Sequence, residues 1–177
     1  MSKNIGDPLR LLKNILFCTD FSENADFAFE YAVEAAMSHP GSTLHILHVI
    51  PEPEAQFWKT YVYEVDNVDE KARHDIDERI DEYRRRVPES VELAPVFRIG
   101  RDSAEILRFA EDERIDMIVM GRHGRSGLEK VFFGNVTEKV VRKAPCPVLV
   151  VPWTYRRVIE KRGLAPGAVF QSGHPDA

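Results

Sequence analysis

The chain is poor in cysteine. Cys18 and Cys146 are its only two, and neither belongs to a CxxC or a mixed Cys/His set. That spacing argues against a zinc site. Both thiols read as buried and free, in a reducing compartment. Long hydrophobic runs are also missing. No apolar stretch approaches the ~18 residues of a transmembrane span, so no membrane association is expected. Positive charge is in deficit, with 24 Lys and Arg against 29 Asp and Glu, a formal charge of −5. General binding to nucleic acid or to an anionic membrane needs a basic surface, so neither is expected. The first residues, MSKNIGDPLRLLKN, mix charges and carry no apolar signal core, and the expected setting is cytoplasmic.

What remains is an ordinary globular composition. The chain has 177 residues, 44% of them apolar and 30% charged, which suits one domain around one core. Residues 1–11 read as an N-terminal extension, 12–152 as the domain and 153–177 as a partly flexible C-terminal tail.

Along the domain, short apolar runs alternate with helical periods. Ile15 to Cys18 suits a strand buried on both faces. Ser22 can cap a helix in which Phe27, Ala28, Tyr31, Ala32, Ala35 and Ala36 recur, stopped by His39-Pro40-Gly41. Thr43 to Ile50 reads as a second strand. Residues 51 to 65 have no clear period and carry Phe57, Trp58, Tyr61 and Tyr63, aromatics that either cover a ligand or partner or pack on their own domain. Val68, Ala72, Ile76, Ile80, Tyr83 and Val87 mark one face of a long charged helix. Its closing Arg84-Arg85-Arg86 suits the helix dipole and solvent. Val91 to Ile99 reads as a third strand, and Pro95 points to a sheet edge. Asp102 or Ser103 is expected to cap a short helix through Ala110. Ile115 to Met120 is a fourth strand, Val136, Val140 and Val141 mark another helix face, and Val148 to Val151 form a fifth strand. A short helix is expected near residues 154 to 162. Strands alternating with helices imply right-handed crossovers, hence a mostly parallel α/β sheet with helices on both faces.

Four of the ten glycines fall between positions 121 and 134: Gly121, Gly124, Gly127 and Gly134. Arg122, His123, Arg125 and Lys130 lie among them. Glycines let a backbone approach a ligand closely. Successive N–H groups and a helix N-terminus attract anions, and the cations add charge-assisted contacts. The loop leaves the carboxyl end of a strand, where open α/β sheets bind ligands. The segment is neither a P-loop nor a dinucleotide fingerprint: GxxxxGK[ST] is absent and the glycines follow the fourth strand. A turn-rich surface loop without a ligand is the alternative.

The pattern Gly121-x2-Gly124-x9-Gly134 resembles the glycine signature of ATP-binding members of the universal stress protein family. ILFCTDFSENA, LHVI, DMIVMGRHG and TEKVVRKAPCPVLVV agree with it in order, over about residues 12 to 152. The resemblance implies an open five-stranded sheet of order 3-2-1-4-5 and a homodimer through the last strand. It implies that Asp20 and Val49 lie near adenine and ribose. Met120, Gly121, Arg122, Gly124 and Arg125 match the first part of the phosphate loop, and Gly134, Asn135 and Val136 its far end. The implied ligand is ATP or another adenine nucleotide, with or without Mg2+, in a stress-response or signalling protein. Asn135 departs from the family pattern, which has Ser or Thr there; an amide can still donate, and Asn is a good helix cap. A nucleotide-free dimeric interaction module is the alternative, and a nucleotide-hydrolysing enzyme a third. For the enzyme, no nucleophile–base pair stands out. His123 reads as a loop residue near phosphate rather than a general base, and Asp20 as a ribose or adenine partner rather than a metal ligand.

Overall fold

A computed structural model describes residues 12–51, 68–122 and 134–163. The aromatic stretch 52–65 and the loop positions His123, Gly124, Arg125, Gly127 and Lys130 lie outside the described residues. Among the described residues ten elements follow one another: β1 (Asn14–Thr19), α1 (Glu23–Met37), β2 (Thr43–Ile50), α2 (Val68–Arg86), β3 (Glu92–Ile99), α3 (Asp102–Asp112), β4 (Met117–Gly121), α4 (Asn135–Lys143), β5 (Val148–Val151) and α5 (Tyr155–Lys161). The strands form one sheet of order β3-β2-β1-β4-β5, and every pairing is parallel. The expected order therefore holds, with Pro95 on an edge strand.

β1 is central and buried on both faces. Ile15 and Phe17 join one apolar cluster, with residues of α1, α2 and α5. Leu16 and Cys18 join the other, with residues of α3 and α4. This alternation is the period of a strand sandwiched between helical layers. At the amino end, the Asp116 carboxylate accepts the N–H groups of Lys13 (2.9 Å) and Asn14 (3.1 Å). Asp116 and Ile115 thus precede β4 rather than open it. The Ile115 N–H instead closes the end of α3 on the Ala110 carbonyl at 2.9 Å.

Two further boundaries and one helix face differ from expectation. Ser22 does cap α1, accepting the Ala25 N–H, but α3 starts from Arg101 with no side-chain cap, and Asp102 is already helical. Gly134, not Asn135, is the N-cap of α4. Val141 does not share the buried face of Val136 and Val140: it is 45% exposed while Val140 is fully buried. One residue past Val140 is a 100° rotation, which turns Val141 off the sheet. Cys18 is buried and Cys146 only half-buried, and both are free. Burial pushes the Cys18 thiol far above its ordinary range, so it stays protonated and unreactive. No described helix is long and apolar enough to cross a membrane.

α2 ends in three arginines used in different ways. Arg84 pairs with Asp81 one turn back and is exposed. Arg86 pairs with Glu30 of α1 and lies 5.0 Å over the Phe29 ring. The tail also begins as part of the core. Trp153 meets Phe27 edge-on at 5.7 Å, and Ile159 of α5 is fully buried. Ile159→Ala should therefore cost about 2–4 kcal/mol, a fall of roughly 5–15 °C in melting temperature at this chain length. A change under ~0.5 kcal/mol in urea titration would show that α5 does not fold with the domain.

Candidate functional site

The chain leaves β1 over one face of the sheet, through α1 to β2. It leaves β4 over the other, through α4 to β5. Neighbouring parallel strands with diverging connections open a crevice at their carboxyl ends, the usual ligand position in such sheets. All the described candidate residues lie on the two banks of this crevice or at the adjacent end of β2.

The β4 bank is built from backbone. Met120 is buried and paired with Cys18 of β1 and Val150 of β5. Gly121 ends the strand. The Arg122 N–H bonds the Val151 carbonyl at 3.1 Å, and the Gly134 N–H returns to the Arg122 carbonyl at 3.0 Å. Buried Thr137 donates its hydroxyl to the Gly121 carbonyl at 3.1 Å. The glycine-rich loop therefore leaves and rejoins the fold at one point, and its two feet are tied to each other. Its far foot is the start of α4, where the first-turn N–H groups have no acceptor within the helix and the dipole is positive. Asn135 is exposed there and Val136 half-buried against the second apolar cluster. The N-cap residue is Gly134, so the cap brings no side-chain hydrogen bond.

The β1 bank is built from side chains. Asp20 follows the strand, half-buried, and its Oδ1 accepts the Ser22 N–H at 3.1 Å. Phe21 has φ +59, a left-handed conformation that costs a bulky residue about 1–2 kcal/mol. Such strain gathers at functional sites and persists only where neighbours enforce it. Here the Phe21 ring lies 4.4 Å from His48, and its N–H donates to Thr19 Oγ1 at 2.9 Å. His48 Nδ1 donates to the Thr19 carbonyl at 2.9 Å. Val49 follows His48 on β2, nearly buried in the second cluster. It stands one step past the last β1–β2 pair, Thr19 with His48.

So Asp20, Val49, Met120, Gly121, Arg122, Gly134, Asn135 and Val136 gather at one sheet edge, while Gly124 and Arg125 fall outside the described residues. Sequence reading missed Thr137, Phe21 and His48. Thr137 carries a weak signal, a hydroxyl two residues past Asn135. A left-handed phenylalanine carries none, since its cause is the surrounding structure. No group of three or more His, Cys, Asp or Glu side chains that could hold a metal occurs among the described residues.

Gly121 has a packing role as well. A Cβ there would stand 3.0 Å from the Asn24 carbonyl oxygen and 3.2 Å from its carbon, so the first turn of α1 closes directly on the end of β4. Gly121→Ala should push these apart and destabilise the fold by about 1–3 kcal/mol. Unchanged stability in urea would mean that α1 is free to yield at this point.

An open, parallel, doubly wound sheet with a glycine-rich segment following its fourth strand defines a class of small α/β proteins. Within that class the chain belongs to the universal stress protein family, whose sequence model matches residues 12–152. It is 30% identical over 155 residues to a universal stress protein of Methanocaldococcus jannaschii, covering 80% of this chain and 95% of that one. The solved structure of that archaeal protein superposes with a TM-score of 0.65 at 32% identity, over 80% and 96% of the two chains. A universal stress protein from Lactobacillus plantarum gives 0.64 at 27% identity, over 79% and 97%. Two more distant structures, each 20% identical, are complexes: one with cAMP, at a TM-score of 0.54 over 80% and 98%, and one from Archaeoglobus fulgidus with dAMP, at 0.55 over 79% and 98%.

Proposed function

We propose that the protein binds an adenine nucleotide, ATP foremost, across the crevice between β1 and β4, as a cytoplasmic stress-response or signalling module. The observation that carries this reading is the closed base of the glycine loop. With Gly134 bonded to Arg122 and Thr137 to Gly121, the feet of the loop and the start of α4 gather backbone N–H groups and positive dipole at one point of the crevice. The cAMP and dAMP complexes of distant family members support the adenine nucleotide as the ligand class.

In this reading Asp20 accepts from the ribose or adenine, and Val49 and Met120 supply the apolar wall beside it. Gly121 and Gly124 let the backbone approach, and Arg122 and Arg125 face phosphate charge. The N–H groups of Gly134, Asn135 and Val136 take the far phosphates, with the exposed Asn135 amide as a donor where a hydroxyl is usual. Mg2+ would arrive bound to the phosphates, keeping most of its ligands as phosphate oxygens and water.

ATP at ~100 times its dissociation constant adds about 2.7 kcal/mol of stability, or roughly 5–10 °C in melting temperature for this length. Gly124→Val should remove that shift and leave the ligand-free melting temperature nearly unchanged. No shift with millimolar ATP, ADP or AMP on the unmodified protein would favour the nucleotide-free interaction module.

The same reading includes a homodimer through β5. That strand is a sheet edge carrying Val148, Leu149 and Val150 half-buried, and an apolar edge invites pairing across a two-fold axis. Val150→Asp should weaken the dimer by desolvating a charge. Light scattering at micromolar concentration should give twice the chain mass for the unmodified protein; the mass of one chain would rule the dimer out.

A further inference from the structure

We infer that Tyr83, in the last turn of α2, is a positioning residue for the Asp20 turn and couples that turn to α2. Its ligand arm rests on the nucleotide reading above; its structural arm does not.

The Tyr83 hydroxyl donates to Asp26 Oδ1 at 2.7 Å and lies 2.9 Å from Thr19 Oγ1. A hydroxyl has one proton. With Tyr83 donating to the carboxylate, Thr19 must donate to Tyr83, and Thr19 Oγ1 in turn accepts the Phe21 N–H at 2.9 Å. The bonds run one way, from the backbone of the strained turn through Thr19 and Tyr83 to the Asp26 side chain. Each member polarises the next. The Tyr83 ring stacks on Phe21 with 22° between planes and 6.1 Å between centroids, while His48 closes on Phe21 at 4.4 Å. Asp20 lies between Thr19 and Phe21, the two residues held in this way.

Tyr83 is itself anchored. Arg86 pairs with Glu30, donates to the Asp26 carbonyl at 3.3 Å, and lies 5.7 Å over the Tyr83 ring. The last turn of α2 therefore cannot shift on α1 without disturbing the turn that carries Asp20. Coupling of this kind is reciprocal. A ligand that orders Asp20 should also order the end of α2, and α2 becomes the element that reports occupancy.

Tyr83→Phe keeps the ring and cuts the chain of bonds. Hydrogen exchange followed by NMR on the full chain should show the Phe21 and Ser22 amides exchanging roughly tenfold faster, the loss of one charge-assisted hydrogen bond. Ile118 and Val119 in β4 should be unchanged. Asp26→Asn keeps an acceptor oxygen and should give a smaller acceleration. Affinity for AMP and ATP should fall severalfold, while affinity for inorganic triphosphate, which needs only the glycine loop, should not. AMP should slow exchange at Tyr83 to Arg86 in the unmodified protein. Unchanged Phe21 and Ser22 exchange, or equal acceleration in β4, overturns the inference, as does equal weakening of AMP and triphosphate. If the unmodified protein binds no nucleotide, the nucleotide reading fails and the exchange comparison alone decides the role of Tyr83.

Discussion

The geometry of the candidate site depends on one topological constraint: β1 and β4 are hydrogen-bonded neighbours whose chains depart over opposite faces of the sheet. The connection from β1 runs to β2 on one side and that from β4 runs to β5 on the other, and two right-handed crossovers in opposite directions must lie on opposite faces. Their separation leaves strand-end backbone groups between them, and buried backbone groups need partners. The fold supplies these partners differently on the two banks. On β4 they come from the start of α4, so the two feet of a long loop are bonded to each other. On β1 they come from the side chains of Thr19, Asp20 and His48.

This difference governs what each bank can do. At the β4 bank, Arg122 and Gly134 are bonded to each other and Arg122 to Val151, so the two feet of the loop are held on the sheet by backbone bonds. The Asp20 turn is held by side chains instead. Its left-handed Phe21 costs about 1–2 kcal/mol, while each hydrogen bond around it contributes roughly 1 kcal/mol. The Thr19 and His48 bonds and the flanking rings therefore exceed the strain by a small margin only. A turn held by a small margin is one whose order a ligand or a neighbouring helix can change, which makes α2 relevant to the site although it lies off the crevice.

The fold was legible in the sequence because its signals are local. Ile15 to Cys18 announces a doubly buried strand, Pro95 an edge, and Ser22 a helix start. The proposed ligand edge is read from four glycines clustered at and after the end of the fourth strand. Boundaries failed where a side chain or backbone group served a distant partner. Asp116 reads as the second residue of a strand, yet its carboxylate fastens Lys13 and Asn14 about a hundred residues away. Asn135 reads as a cap, yet Gly134 takes that place: its carbonyl accepts the first helical bond from Glu138, while its N–H returns to Arg122. Arg86 reads as a solvated dipole partner, yet Glu30 and Phe29 hold it on α1. Tyr83 reads as one more apolar position of an amphipathic helix, and nothing in its spacing tells that its hydroxyl meets Thr19.

The two faces of the sheet divide the work at the edge. Val49 and Met120 belong to the apolar cluster under α3 and α4, and Val136 packs against it. Phe17, Tyr83 and the flanking Phe21 belong to the cluster under α1, α2 and α5. The residues proposed to touch the ligand are thus supported from one side of the sheet, and those that hold the Asp20 turn from the other. β1 places members of the two clusters at adjacent positions, Phe17 in one and Cys18 in the other. A small shift of β1 would therefore be felt on both faces. The aromatic layer over the first face, extended by Trp153 and Ile159 beyond the family-matched residues, buries α1 and stiffens the helix whose Asp26 ends the Tyr83 chain. The segment after residue 152 is thereby tied to the candidate site through packing, with no residue of its own near the crevice's β1 bank among those bonds.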